Sequence, residues 1–223
     1  PAEMERPQIL ASNIDVVAIV LSADRPINIA RIERLLVLAA TSQAEAAFIL
    51  TKSDFGIPTE WNELEQEFPN VHKIETSALS SVGKPEINRL LTPNQTLVLL
   101  GESGVGKSTL VNYLAGQKIQ ETTEVRLKDK KGRHTTTARE MILIPTGGMV
   151  IDTPGIRGVG LWDSEEGINL VFKSISSIGQ KCRFKDCSHK AEPQCAVLEA
   201  IQKGSIDSEK LERYQRLREE AQE

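Results

Sequence analysis

An α/β fold built on a parallel sheet, followed by a small helical tail, is what this sequence predicts. Three observations carry the prediction. Short β-branched apolar runs alternate with segments of helical spacing through the first two thirds of the chain. The eight residues Gly101 to Ser108, GESGVGKS, fit the phosphate-cradling pattern G-x-x-x-x-G-K-[ST]. After Gly160 the strand pattern stops, and helical spacing surrounds three cysteines and a histidine.

Asp15 to Leu21 (DVVAIVL) is a short run rich in valine, suited to a buried strand, and Ile29 to Leu38 places apolar residues at helical intervals. The alternation continues with Ala46 to Leu50 as strand, Glu60 to Phe68 as helix, Val71 to Ile74 as strand and Pro85 to Leu91 as helix. Thr96 to Leu100 is the next strand and Lys107 to Ala115 the helix after the glycine-rich loop. Such alternation implies parallel strands covered on both faces. Met141 to Ile144 and Met149 to Ile151 read as two further strands, while Gln120 to Arg139 is polar, lacks either period, and reads as a mobile loop. In the tail, Ile168 to Ile178 reads as one helix, a cysteine-rich loop follows, and Ala196 to Gln202 and Ser208 to Glu220 are helices. Leu211, Tyr214 and Leu217 recur every three residues in the last, with Asp207 or Ser208 placed to cap it. The expected organisation is a nucleotide-binding domain over 1–163 and a helical domain over 164–223.

With 223 residues the chain is long enough for one domain with a genuine core plus an appendage. At 39% hydrophobic and 26% charged residues it falls among soluble globular chains, with no apolar run long enough for a membrane span. The opening PAEMERPQIL lacks the pattern of a secretory signal, so a cytoplasmic or organelle-matrix setting is expected, with no membrane partner. A net charge of -4 argues against coating nucleic acid by bulk electrostatics. Two local basic groups stand out even so: Arg126, Lys128, Lys130, Lys131, Arg133 and Arg139 in one, and Lys181, Arg183, Lys185 and Lys190 in the other.

The phosphate loop makes its site from main chain. Gly101, Gly104 and Gly106 let the backbone turn tightly after a strand, so that amide N–H groups from Glu102, Ser103, Val105 and their neighbours converge on phosphate oxygens at a helix N-terminus. Lys107 can reach the β and γ phosphates, Ser108 can offer its hydroxyl to Mg²⁺, and Thr109 completes the first helical turn. Asp152-Thr153-Pro154-Gly155 ends a buried strand about fifty residues later, where a magnesium-side carboxylate and a γ-phosphate-sensing amide, that of Gly155, would sit.

Base choice needs a carboxylate that accepts from N1–H and the exocyclic amine of guanine, a donor pattern adenine lacks. Asp54, in Thr51-Lys52-Ser53-Asp54 at the end of a strand, can supply it. Lys52 would lay its aliphatic stem over the purine, and Ser77-Ala78 after the next strand would bring a backbone N–H to guanine O6. In common guanine-nucleotide proteins this base-reading segment follows the phosphate loop; here it precedes it. The chain therefore reads as a circularly permuted GTPase. The phosphate loop alone does not separate guanine from adenine, so an ATP-dependent enzyme stays open.

Cys182, Cys187, His189 and Cys195 are four soft or borderline ligands within one short segment, the set for a closed tetrahedral structural Zn²⁺. An odd number of cysteines disfavours disulfides, and the irregular spacing leaves unmetallated thiols open.

Taken together, TKSD at 51–54, SA at 77–78, GESGVGKS at 101–108, GRHTTT at 132–137, DTPG at 152–155 and CRFKDCSHKAEPQC at 182–195 resemble the RsgA/YjeQ family of permuted GTPases. The resemblance runs over nearly the whole chain. It implies a Ras-like domain with permuted strands, hydrolysis of GTP to GDP with Mg²⁺, one structural Zn²⁺ in the tail, and action on the small ribosomal subunit and its rRNA, with stimulation by that subunit. A monomer is expected. Three departures stand beside it. Family members usually begin with an oligonucleotide-binding β-barrel, which is expected to be absent here. Thr51 replaces the usual Asn, so the tie between base loop and phosphate loop is expected to be lost, lowering guanine affinity. Gln194 stands where Gly is common, a change expected to matter only to a turn.

Hydrolysis needs a positioned water, and Ile156, directly after DTPG, cannot hydrogen-bond one. His134 is the candidate, with Thr136 as a second Mg²⁺ ligand when its loop closes. Slow intrinsic turnover follows, since no Gln or arginine finger is fixed by sequence. A scaffold that binds nucleotide as a switch without hydrolysing it is the competing class, motivated by Ile156 and Thr51.

Overall fold

The computed structural model describes residues 13–120, 140–153, 161 and 163–222. These residues fall into two compact units, one holding 13–29, 44–120 and 140–153 and the other holding 30–43, 161 and 163–222.

Six strands make the sheet of the first unit: β1 (Val16–Ser22), β2 (Glu45–Thr51), β3 (His72–Glu75), β4 (Thr96–Leu100), β5 (Glu140–Leu143) and β6 (Met149–Asp152). Their order across the sheet is β3-β2-β1-β4-β6-β5. All neighbours are parallel except β5 and β6, which are antiparallel. The reason is length: Ile144 N–H donates to the Gly148 carbonyl and Gly147 N–H back to that of Ile144, closing a turn far too short for a crossover.

β1 and β4 lie at the centre and are apolar at almost every position, because both faces of a parallel sheet are covered. Their core-facing residues, with Ile49, Leu110, Val111, Leu114 and Val150, form one continuous apolar cluster. Helices α2 (Thr59–Glu67), α3 (Lys84–Leu90) and α4 (Lys107–Ala115) complete this unit. Each predicted element of the alternation is present, with ends within three residues of expectation.

The second unit is built from α1 (Ile29–Thr41), α5 (Glu165–Val171), α6 (Lys173–Gly179), α7 (Ala196–Gln202) and α8 (Ser208–Glu220). Leu211, Tyr214 and Leu217 are buried as the spacing predicts, and the Asp207 carboxylate accepts from the Glu209 N–H to cap α8. Val37 of α1 joins their core with Phe172 and Ile175. Glu33 of α1 is fully buried and accepts from Arg213 Nε at 2.6 Å, while Arg34 pairs with Glu220. Losing Arg213 would take a charge-assisted hydrogen bond from a carboxylate that is fully buried.

One helix was expected over 168–178, and two are found. The break is at Phe172, whose backbone leaves the helical region (φ -97°, ψ 40°) while its ring is buried against Tyr214, centroids 5.5 Å apart. Apolar periodicity runs straight across this break, so a period alone could not reveal it.

Candidate functional site

The carboxyl ends of β1, β2, β3, β4 and β6 all point to one edge of the sheet, where ligands of open α/β folds bind. Each predicted nucleotide-site segment within the described residues leaves that edge.

After β4 the chain makes the phosphate loop. Gly101 is needed because a Cβ there would lie 2.5 Å from the Val20 carbonyl oxygen of β1. Gly106, at φ 97°, precedes α4 and leaves room for the Thr51 side chain. Val105 is buried in the sheet core and anchors the loop, while Ser103 is exposed and Glu102 and Gly104 are half-buried. Lys107 is buried, its ammonium donating to the carbonyls of Gly101 and Glu102 at 2.9 Å each. Ser108 Oγ and Asp152 Oδ2 stand 3.5 Å apart although 44 residues separate them, so the two residues expected on the magnesium side meet. Thr109 is exposed on the outside of the first turn of α4.

The base-reading segment leaves β2 directly beside this loop. Thr51 Oγ1 lies 2.5 Å from the Val105 carbonyl oxygen and 2.9 Å from that of Leu21. A hydroxyl has one proton, and the shorter contact takes it. The expectation that Thr51 loses the tie between the two loops is therefore corrected: a short hydroxyl bridges where a longer amide would, because Gly106 offers no side chain and lets β2 come close. Lys52 adopts a left-handed backbone (φ 56°, ψ 36°) and its ammonium donates to the Gly104 carbonyl at 3.3 Å. Asp54 lies exposed in a single 3-10 turn, Ser53–Phe55, and its Oδ1 accepts from Ser77 Oγ at 2.6 Å. Ser77 in turn accepts from the N–H groups of Leu79 and Ser80, and the Thr76 carbonyl, just after β3, receives the Ser53 N–H, so the two loops hold each other; Ala78 is exposed beside them.

Two residues that the sequence does not single out contact the candidate site. Asp24 and Arg25, in the turn after β1, reach Lys52 and the phosphate loop. The signal that could have found them is their place just beyond the carboxyl end of a central strand. His134, Thr136, Gly155 and the basic group from Arg126 to Arg139 lie outside the described residues.

The second unit holds the cysteine cluster. Cys182 follows α6, Cys187 and His189 lie in the connecting loop, and Cys195 precedes α7. Their ligand atoms all lie within 4.8 Å of one another. Cys182 Sγ and Cys195 Sγ are 3.8 Å apart, and His189 Nδ1 is 3.6 Å and 3.3 Å from those sulfurs. Two sulfurs about 2.3 Å from a common tetrahedral centre would stand about 3.8 Å apart, so this donor set fits zinc. Burial pushes the Cys187 thiol up to about 12, and burial followed by the Arg218 charge pulls His189 below its usual value. A dication between the sulfurs reverses the first effect by favouring thiolate.

The loop around the cluster is braced from outside. Gln215 Nε2 donates to the carbonyls of Ser188 and His189 at 3.0 and 3.1 Å. The Glu192 carboxylate accepts from Ser188 Oγ and from the N–H groups of Ser188, Lys190 and Ala191; the Ser188 hydroxyl first, then the N–H groups of Glu192 itself, Ser188 and Ala191, lower its pKa to about 2. His189 and Gln194 both take left-handed backbones, φ 57° and 60°, which explains why glycine would suit position 194. Of the basic group here, Lys181 and Lys185 are exposed, Arg183 stacks on Phe184, and Lys190 pairs with Glu219 at 2.9 Å. No helix among the described residues is long and apolar enough to cross a membrane.

A family model described as RsgA GTPase matches residues 1–162. The protein named small ribosomal subunit biogenesis GTPase RsgA from Methanosarcina acetivorans is 43% identical over 215 residues, covering 96% of this chain and 58% of that protein. Its namesake from Streptomyces avermitilis is 42% identical over 221 residues, covering 96% and 59%. The chain thus spans about three fifths of the length of these relatives. Among solved structures, YjeQ from Thermotoga maritima superposes with a TM-score of 0.66 at 28% identity, covering 94% of this chain and 72% of that one. YloQ, described as a circularly permuted GTPase, gives 0.64 at 23% identity over 94% and 69%, and supports the permuted fold.

Proposed function

The chain belongs to the RsgA GTPase family, and from that premise we propose that it binds and hydrolyses GTP in the assembly of the small ribosomal subunit, in the cytoplasm. The observation that carries the reading is the meeting of two segments fifty residues apart. Thr51 and Lys52 join the carbonyls of Val105 and Gly104, which ties the segment that carries Asp54 to the phosphate loop and supports a single ligand reaching both. In this reading Asp54 accepts from guanine, Lys52 covers the purine, and the 101–109 loop holds the phosphates. Ser108 and Thr136 would hold Mg²⁺, with Asp152 acting on it through water, and the ion would supply charge neutralisation at the phosphates. The Gly155 amide senses the γ-phosphate and His134 orients the attacking water.

Cys182, Cys187, His189 and Cys195 would hold zinc, which supplies folding free energy rather than catalysis, since four protein ligands leave no open position. Lys181, Arg183 and Lys185 then face rRNA phosphate from a rigid loop. Phosphate release from GTP, measured with and without small ribosomal subunits, tests the assignment. Slow intrinsic release that rises about tenfold or more with subunits is expected. No release under either condition would leave the non-hydrolysing scaffold as the better account, and equal competition by ADP and GDP would remove guanine.

The Thr51 bridge adds a sharper expectation. Thr51→Val keeps the volume and loses the buried hydrogen bond, so GDP should bind about five- to tenfold more weakly. Thr51→Asn should stay within about threefold of the parent, because a side-chain amide can donate to the same Val105 carbonyl. Fluorescent-GDP titration reads both. Unchanged binding by Thr51→Val would mean the bridge serves only the apoprotein.

A further inference from the structure

The turn after β1 carries an ion pair that folding alone explains poorly. Asp24 accepts from Ser22 Oγ at 2.6 Å, from Lys52 Nζ at 2.6 Å and from Arg25 Nε at 3.3 Å. Arg25 spreads its other nitrogens over the phosphate loop, donating to the Ser103 carbonyl at 3.3 Å and the Gly104 carbonyl at 3.4 Å. The same turn is pinned to β2 by the Ala23 N–H, which donates to the Thr51 carbonyl at 3.0 Å. One short segment therefore touches both the base-reading segment and the phosphate loop.

Side-chain exposures of 28%, 32% and 36% for Asp24, Lys52 and Arg25 put these charges at the surface, where an ion pair adds about 1 kcal/mol or less to stability. What the contacts fix is geometry. A lysine in a left-handed backbone has few ways to send its stem across a purine, and an ammonium held at 2.6 Å on one side and 3.3 Å on the other selects one. The Lys52 and Ser22 donors also hold the Asp24 carboxyl well below the usual carboxylate range, so the anchor stays charged. Arg25 acts on the loop through its peptides. The Ser103 and Gly104 carbonyls share peptide units with the N–H groups of Gly104 and Val105, and a cation on the carbonyl side polarises those N–H groups toward an anion.

We propose that Asp24 and Arg25 are positioning residues of the nucleotide site, Asp24 setting the path of the Lys52 stem over the base and Arg25 fixing the Ser103 and Gly104 peptides of the phosphate loop. The proposal rests on the guanine-nucleotide reading above. Its test is a double-mutant cycle on fluorescent-GDP affinity, with fluorescent ADP as the control. Lys52→Met keeps the apolar stem and removes the ammonium. Asp24→Asn should weaken GDP about five- to tenfold in the parent and have little further effect in Lys52→Met. Arg25→Gln should weaken GDP about threefold through faster release, in either background. Ser22→Ala, which removes only the hydroxyl that steadies Asp24, should give a smaller loss and serves if Asp24→Asn folds poorly. Nucleotide-free melting of each variant should stay near that of the parent, as surface charges predict, so a GDP loss that depends on the Lys52 ammonium is the readout that a merely structural role would not move. Asp24→Asn binding GDP as the parent does, or losing the same factor with and without the Lys52 ammonium, overturns the proposal. A parent chain that binds GDP no better than ADP overturns the guanine reading itself, a different result from either.

Discussion

Asp54→Asn should lower GDP affinity by about a hundredfold and raise affinity for xanthosine diphosphate above that for GDP. Guanine offers two parallel donors, N1–H and the exocyclic amine, and a carboxylate meets both with acceptors. An asparagine keeps one acceptor and substitutes a donor for the other, so one guanine donor faces an N–H. Xanthine carries a carbonyl where guanine has the amine, and the asparagine pattern suits it. A site built to hydrogen-bond a ligand group discriminates strongly once that group is unmatched, and two decades is about 2.7 kcal/mol. The substitution is mild for the fold, because the Ser77 hydroxyl that donates to Asp54 Oδ1 at 2.6 Å can donate equally to an asparagine oxygen. Titration with fluorescent GDP and XDP, alongside thermal melting, reads the outcome. GDP affinity unchanged in a well-folded Asp54→Asn protein would remove Asp54 from base recognition.

The second large effect is expected at the cysteine cluster. Purified chain should carry one zinc per molecule by elemental analysis, and either a strong chelator or Cys195→Ser should melt the second unit well below the parent temperature. Structural zinc sites contribute about 10–16 kcal/mol of apparent binding free energy in small peptides, far more than any one side chain here. Cys195 is the informative position because it stands at the start of α7, so losing its ligation frees a helix end as well as a sulfur. The pH dependence has a definite sign. Cys187 without metal holds its proton up to about 12, metal binding must displace that proton, and affinity therefore falls as pH falls. Full helix content and an unshifted melting curve after chelation would mean the thiols support the loop without metal.

Local patterns carried most of the site in the sequence. The phosphate loop was legible because the spacing of Gly101, Gly106, Lys107 and Ser108 is itself the machinery: amides turned by glycines, then a cation and a hydroxyl on a helix start. TKSD was legible only in combination with it. What stayed hidden depends on convergence. Asp24 and Arg25 carry no pattern, and their chemistry exists only because β1 and β2 are adjacent and parallel. The bridge from Thr51 is hidden for the same reason, because it depends on the close approach of β2 to Gly106. Helix α1 was legible from its period, yet Glu33 on its buried face is understandable only once Arg213, 180 residues on, is seen to meet it. The break at Phe172 reflects ring packing, which periodicity does not encode.

Helix α1 has a consequence for how the protein is made. It is translated early, between the first two strands, but its structural companions are α5 to α8. At ordinary synthesis speeds the delay between α1 and the start of those helices is roughly 10 s. During that interval Val37 lacks the α5–α8 part of its core and Glu33 lacks Arg213, so α1 must wait as a nascent helix while the neighbouring strands emerge. Completion of the second unit is therefore a late, long-range event in folding, and cutting the chain after residue 163 would leave an early helix permanently without the segment it is shaped to meet.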